Sequence, residues 1–290
     1  MAAITRRQSD SEGKVLETKT AQVRATITYL GAGTYRPTII TEAHNRMHAV
    51  ALDPRDVPIC NFRDAQNRAK LSTTGFELVA HQSRVTDFAS GEQLRKIYDP
   101  EIRELLRAMT GASKIHLTTP ILRWSERERH PERVNSRPAR VVHVDYTRDG
   151  FHEFAKEHVR EDLNKERLLA GRYAVFNIWR AVSPPPQDCL LACIDRRTTT
   201  IDDVVEGEIV TTLQDLREER IGTSFYTWNP QHKWGYFGSM TRDEVLVFLA
   251  YDSADDALPG SPHSAFDDPT CPPDTVPRAS CELRAYVYWG

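Results

Sequence analysis

No stretch of this chain approaches the roughly 18 consecutive apolar residues that a membrane-spanning helix needs. Nor is there a basic block: 38 Lys and Arg stand against 41 Asp and Glu, a formal charge of −3. The electrostatic footprint of a nucleic-acid binder is therefore missing, and neither nucleic acid nor membrane is an expected partner. Cysteine is sparse. Cys60, Cys189, Cys193, Cys271 and Cys281 are odd in number and lack C-x-x-C spacing, which argues for reduced, structural thiols. Met1 to Asp10 runs straight into polar residues without the apolar segment of a secretory signal, so a cytoplasmic location is expected. Neither H-E-x-x-H nor a nucleophile elbow occurs, which argues against a metal hydrolase or a serine hydrolase.

What is there is a series of short β-branched and aromatic runs between turn residues. Val23, Ala25, Ile27 and Tyr29 alternate with polar positions, as in a half-buried strand. Thr38-Ile-Ile and His48 to Leu52 give further short strands, the latter closed by Asp53-Pro54, and Gly75 to Ala80 another. Strand-like runs continue over Arg172–Arg180, Leu190–Ile194, Glu208–Leu213, Thr223–Trp228, Lys233–Phe237, Glu244–Tyr251 and Cys281–Trp289. Two helices are expected. One has Asp99 as N-cap, Pro100 at its first position and Gly111 beyond its end, with Ile102, Leu105, Leu106 and Met109 on one face. The other covers 150–170 and stops at Gly171. Many short strands and few helices predict a barrel or two-sheet jelly roll. Residues 1–20 read as a flexible N-terminus and 21–290 as one domain, with an α+β extension over 21–120 and the jelly-roll core over 138–290. The charged stretch 125–140 reads as a solvated loop, with a lid as the second reading.

One constellation carries chemistry. In Arg140-Val-Val-His143-Val-Asp145, His143 and Asp145 lie two apart on a strand, so their side chains share a face, about 6.6 Å apart along the backbone. An aspartate in so apolar a run is costly to bury unless it is paired or bound to a cation. A turn follows later, Pro262-His263-Ser-Ala-Phe266, and then Arg278-Ala-Ser280 at the head of the last strand. One distant imidazole would complete three ligands on one face of a metal, leaving the opposite positions open. Arg278 and Ser280, again on one strand face, have the geometry to clamp a carboxylate. His81, His116 and His232 are alternative third ligands. Trp179, Tyr146, Phe225, Trp228 and Trp234 are candidate pocket walls.

The order H-x-D, distal His, R-x-S resembles that of the Fe(II)/2-oxoglutarate oxygenases. More narrowly, several segments resemble a fungal group of hydroxylase/desaturase, gibberellin-desaturase-like and cephem-methoxylase-chain-related proteins. The segments are Gly75 to His81, Val141 to Tyr146, Asn177-Ile-Trp-Arg180 with Leu190 to Asp195, Met240 to Ser253, His263 to Pro269 and Pro277 to Arg284, spread over roughly residues 75–289. The 118-residue offset from Asp145 to His263 is a departure from the better-known plant and penicillin-pathway enzymes.

That resemblance implies a mainly β fold with flanking helices and a double-stranded β-helix (jelly-roll, cupin-like) core. It further implies Fe(II) held by His143, Asp145 and His263, with 2-oxoglutarate as cosubstrate and O2 as oxidant. Arg278 would grip the far carboxylate of 2-oxoglutarate and Ser280 would add a hydrogen bond. Period-2 alternation turns either Asn177 and Trp179 or Arg180 inward, and Asn177 and Arg180 are both candidates to touch substrate or cosubstrate. The expected substrate is a small specialised-metabolite intermediate that is hydroxylated, desaturated or ring-closed. An oligomer is neither required nor excluded. Two alternatives stand beside this reading: a non-haem iron oxidase that needs no 2-oxoglutarate, and a catalytically silent jelly-roll binding or accessory protein.

Overall fold

The computed structural model describes residues 21–41, 50–125, 137–212, 218–255, 257 and 260–290. The N-terminal segment 1–20, His48 and most of the charged loop, 126–136, lie outside the described residues. The strands are β1 (Gln22–Leu30), β2 (Thr38–Thr41), β3 (Leu52–Asn61), β4 (Phe76–Ala80), β5 (Lys114–Leu117), β6 (Ile121–Trp124), β7 (His143–Val144) and β8 (Tyr173–Ala181). They continue with β9 (Cys189–Ile194), β10 (Val204–Thr212), β11 (Glu218–Tyr226), β12 (Trp234–Tyr236), β13 (Glu244–Asp252), β14 (His263–Asp267) and β15 (Ala279–Tyr288).

These strands form the two sheets of a jelly roll. The larger runs β1-β3-β12-β9-β14-β7-β11-β10-β2 and the smaller β4-β13-β8-β15-β5, with β6 also on β15. Strand alternation builds the layers. Tyr173 and Val175 of β8 and Tyr286 and Tyr288 of β15 meet Ile27, Ile59, Leu190 and Phe266 of the larger sheet in the core between the sheets. The intervening residues Ala174, Phe176, Ile178, Leu283 and Ala285 face the other way, under Ile102 and Leu106 of the helix Asp99–Thr110. Strands from the first 120 residues lie at the edges of both sheets: β1 with β3 and, at the opposite end, β2 on the larger, β4 and β5 on the smaller.

Several elements differ from their sequence reading, each for a physical reason. β3 does not close at Asp53-Pro54 but runs on through Pro54 and Pro58. Both prolines have only β1 as neighbour, because β12 joins from Ile59 onward, so their missing N–H groups fall on an unpaired side. Asp99 is not an N-cap. Helical turns begin nine residues earlier, where Ser90 caps Gln93, and a π-helical stretch Leu94–Tyr98 widens the backbone just ahead of Pro100. The wider turn relieves the clash a proline ring makes with the preceding turn. Gly111 ends the helix as expected, in the left-handed region at φ 68°. The second helix is broken into Arg148–His158 and Lys165–Ala170. His263 opens a strand rather than sitting in a turn.

Candidate metal centre

The short strand β7 lies between β14 and β11, and its His143 is directly opposite His263 in the β14 register. Sheet pairing therefore brings His263 to the H-x-D pair across the long sequence interval. The ligand atoms of His143, Asp145 and His263 all lie within 4.8 Å of one another, and all three residues are buried. The two imidazole rings are 4.4 Å apart between centroids and tilted by 49°. His143 Nδ1 donates to the Val141 carbonyl at 2.7 Å, which fixes the tautomer and turns Nε2 towards Asp145 Oδ1, 3.8 Å away. His263 Nδ1 reaches the Ser261 carbonyl at 3.5 Å.

Burial decides the protonation of this cluster. Desolvation, reinforced by His143, pulls the His263 imidazole down to about 3, and desolvation also lowers His143. Both are held as neutral donors. For Asp145 burial acts the other way, but the opposing influences, chief among them the Arg284 guanidinium, hold the carboxyl well below the usual range. Two neutral imidazoles and one carboxylate, with positions left open, are the donor set that non-haem Fe(II) takes. The residues present fit the ion.

Facing this triad is the inner surface of the smaller sheet. Asn177 and Arg284 are register partners on β8 and β15, and both reach Asp145: Asn177 Nδ2 to Oδ2 at 2.6 Å, Arg284 Nη2 to Oδ1 at 2.7 Å. Arg278 is 1 % exposed, with its guanidinium 5.6 Å from the Trp179 ring centre. Its Nε and Nη2, and the buried Ser280 hydroxyl, have no hydrogen-bond partner. Burying such donors without a partner is costly, so their chemistry calls for an anion with oxygens to share. A cleft connects Asn177, Arg278 and Arg284 to the triad, with Trp179, Leu191 and Phe248 as its apolar wall. Phe248 presents its edge geometry to His263, 4.7 Å between ring centres.

Other expected site residues go elsewhere. Arg180 is corrected: Asn177 and Trp179 face inward, so Arg180 points to the helix-covered face. There it is fully buried, donating to the carbonyls of His81 (3.1 Å) and Arg242 and lying over the rings of Phe88 and Tyr98. His81 contacts Arg180, His116 stacks on His158, and His232 bridges Tyr29 and Asp203, so none of the three alternative ligands joins the cluster. Of the candidate walls, Trp179 lines the cleft and Tyr146 lies under Arg284. Phe225 packs with Leu30 and Val141, Trp228 carries Arg55 at the surface, and Trp234 donates to Tyr29. Sequence reasoning missed Arg284, Glu282 and Arg123. The first two share the face of Arg278 and Ser280 by alternation, and Glu282 pairs with Arg123 at 2.7 Å.

A family described as "Oxidoreductase/YMDC permease-like domain" matches residues 27–288. No helix among the described residues is long and apolar enough to cross a membrane. The hydroxylase/desaturase CTB9 of Cercospora beticola is 32% identical over 82% of this chain and 77% of its own. The Fe(II)/2-oxoglutarate-dependent dioxygenase nvfI of Aspergillus novofumigatus is 29% identical over 82% of this chain and 84% of its own. The solved structure of the iron and alpha-ketoglutarate-dependent endoperoxidase NvfI superposes with a TM-score of 0.78 at 23% identity, covering 93% of this chain and 98% of that one, a likeness of fold.

Proposed function

The chain belongs to the fungal hydroxylase/desaturase family of Fe(II)/2-oxoglutarate-dependent oxygenases, and from that premise we propose how its own residues carry the reaction. The enzyme oxidises a small specialised-metabolite intermediate, using Fe(II), 2-oxoglutarate and O2. His143, Asp145 and His263 are the metal ligands. Arg278 and Ser280 bind the far carboxylate of 2-oxoglutarate. The observation that carries this reading is the buried triad beside a buried guanidinium and hydroxyl that lack partners of their own.

When bound, the iron with its cosubstrate and O2 supplies the oxidising power to remove hydrogen from an unactivated C–H bond. The protein's residues do the rest. Arg278 binds the cosubstrate carboxylate as a planar, permanently charged fork, and Ser280 orients it through its hydroxyl. His143 is held in one tautomer by Val141, and Asp145 in one rotamer by Asn177 and Arg284. Trp179, Leu191 and Phe248 exclude water and offer an apolar seat for the substrate skeleton. Hydroxylation, desaturation and ring formation differ in where that seat places the target C–H. A cosubstrate-free oxidase and a silent binding protein both leave Arg278 and Ser280 without a task.

Anaerobic titration of the purified protein with Fe(II) and 2-oxoglutarate tests the assignment. A weak visible charge-transfer band in wild type that is absent in His263→Ala is the expected result. Iron binding without such a band would favour the oxidase, and no iron binding would sink the ligand assignment.

A further inference from the structure

We propose that Arg284 is the resident cation of the metal centre, which neutralises the buried Asp145 carboxylate before any ion arrives. The inference rests on the reading of Asp145 as a ligand. Asp145 has a side chain only 8 % exposed, and an ionised carboxylate so placed is costly unless a cation stands beside it. Arg284 Nη2 meets Oδ1 at 2.7 Å, while Asn177 Nδ2 takes Oδ2 at 2.6 Å. Both oxygens are engaged, so the carboxylate cannot swing. The oxygen bound by Arg284 is the one that faces His143 Nε2, and a carboxylate oxygen has a second lone pair to offer.

The guanidinium is itself fixed in place. It lies over the Tyr146 ring, 5.1 Å from its centre, and the backbone N–H of Arg284 donates to Thr118 at 2.9 Å. Nη2 is its contact to Asp145, while its Nε is buried without a hydrogen-bond partner. The consequence is a linkage. Because Arg284 already compensates the buried carboxylate, the ion adds less to stability than it would at an unpaired Asp145.

Thermal unfolding of the full chain, with and without saturating Co(II) and without cosubstrate, tests this in wild type, Arg284→Met, Arg284→Gln, Arg284→Lys and Asp145→Asn. In Arg284→Met the metal-free protein should melt several degrees below wild type, and the Co(II)-induced rise should exceed the wild-type rise. A side chain that merely packs would lower both states equally. A rise equal to or smaller than that of wild type therefore overturns the proposal. Folding of Arg284→Met only with Co(II) is the expected effect at its extreme. If it folds in neither condition, Arg284→Gln, which also removes the charge, is read by the same rule. Arg284→Lys, which keeps a cation, should hold the rise near that of wild type; a Lys rise as large as that of the neutral variant would overturn the proposal. Asp145→Asn separates the premise from the inference. A full rise there overturns the ligand assignment and the proposal with it, whereas a lost rise leaves the Arg284 comparison to decide.

Discussion

His143 and His263 are directly opposed residues of neighbouring antiparallel strands, with ring centres 4.4 Å apart. Both should count equally as ligands, because each offers a neutral imidazole from a rigid sheet position. His143→Ala and His263→Ala should each weaken Co(II) or Fe(II) binding by more than the roughly 10- to 100-fold that loss of an outer hydrogen bond costs. Isothermal titration with either metal checks this. A variant that binds metal as wild type does removes that histidine from the centre.

Arg278 stands apart in being a buried cation whose Nε and Nη2 go unpartnered. Charge-assisted hydrogen bonds contribute about 1.5–3 kcal/mol each, so Arg278→Ala should weaken anaerobic 2-oxoglutarate binding by roughly 10- to 100-fold or more. Ser280→Ala should have a smaller effect in the same direction. Metal affinity without cosubstrate should stay within a few-fold of wild type in both. Equal loss of metal and cosubstrate binding would point to damage of the fold instead.

Arg180 faces the opposite side of β8 and should behave oppositely. Arg180→Met removes a buried guanidinium that donates to the carbonyls of His81 and Arg242, and should cost about 3 kcal/mol of stability. The 2-oxoglutarate affinity of the folded fraction should be unchanged. Urea unfolding beside a cosubstrate titration measures both, and a selective rise in the cosubstrate Kd would return Arg180 to the site.

Why Arg180 was ambiguous in the sequence is visible in β8 itself, where all nine residues are buried. A strand covered on both faces has no polar side to mark its orientation, so alternation gives two families of residues without saying which faces the cleft. His143 with Asp145 and Arg278 with Ser280 were legible because a two-residue spacing fixes a shared face whichever way the strand points. The same rule extended from Ser280 reaches Glu282 and Arg284, whose roles needed only that step. The helix break at residues 159–164 and the passage of β3 through Pro54 and Pro58 were not legible, since each depends on which neighbours pair with the segment. His263 looked like part of a turn because Gly260, Ser261 and Pro262 precede it, and only pairing with β9 and β7 makes it a strand.

Away from the metal centre, His158 lies against His116 with ring centres 3.9 Å apart, and its Nε2 is buried without a partner. Burial, with the neighbouring His116 adding to it, lowers His158 from 6.5 to about 4. The folded state then binds fewer protons here than the unfolded chain, so the stability associated with this group is complete above pH 6.5 and declines as pH falls from there towards 4. Partial exposure of the ring tempers the effect to about 1 kcal/mol at pH 5. His158→Phe keeps a flat ring against His116 and the edge of Tyr286 and cannot be protonated. Metal-free wild type and variant should therefore have similar stability at pH 7.5, and the variant should be the more stable at pH 5. The subtraction cancels the acid response of groups remote from this ring pair, including His143 and His263. A difference between the two proteins that stays constant from pH 7.5 to 5 would mean that His158 titrates alike folded and unfolded, and that its stacking on His116 does not exclude the proton.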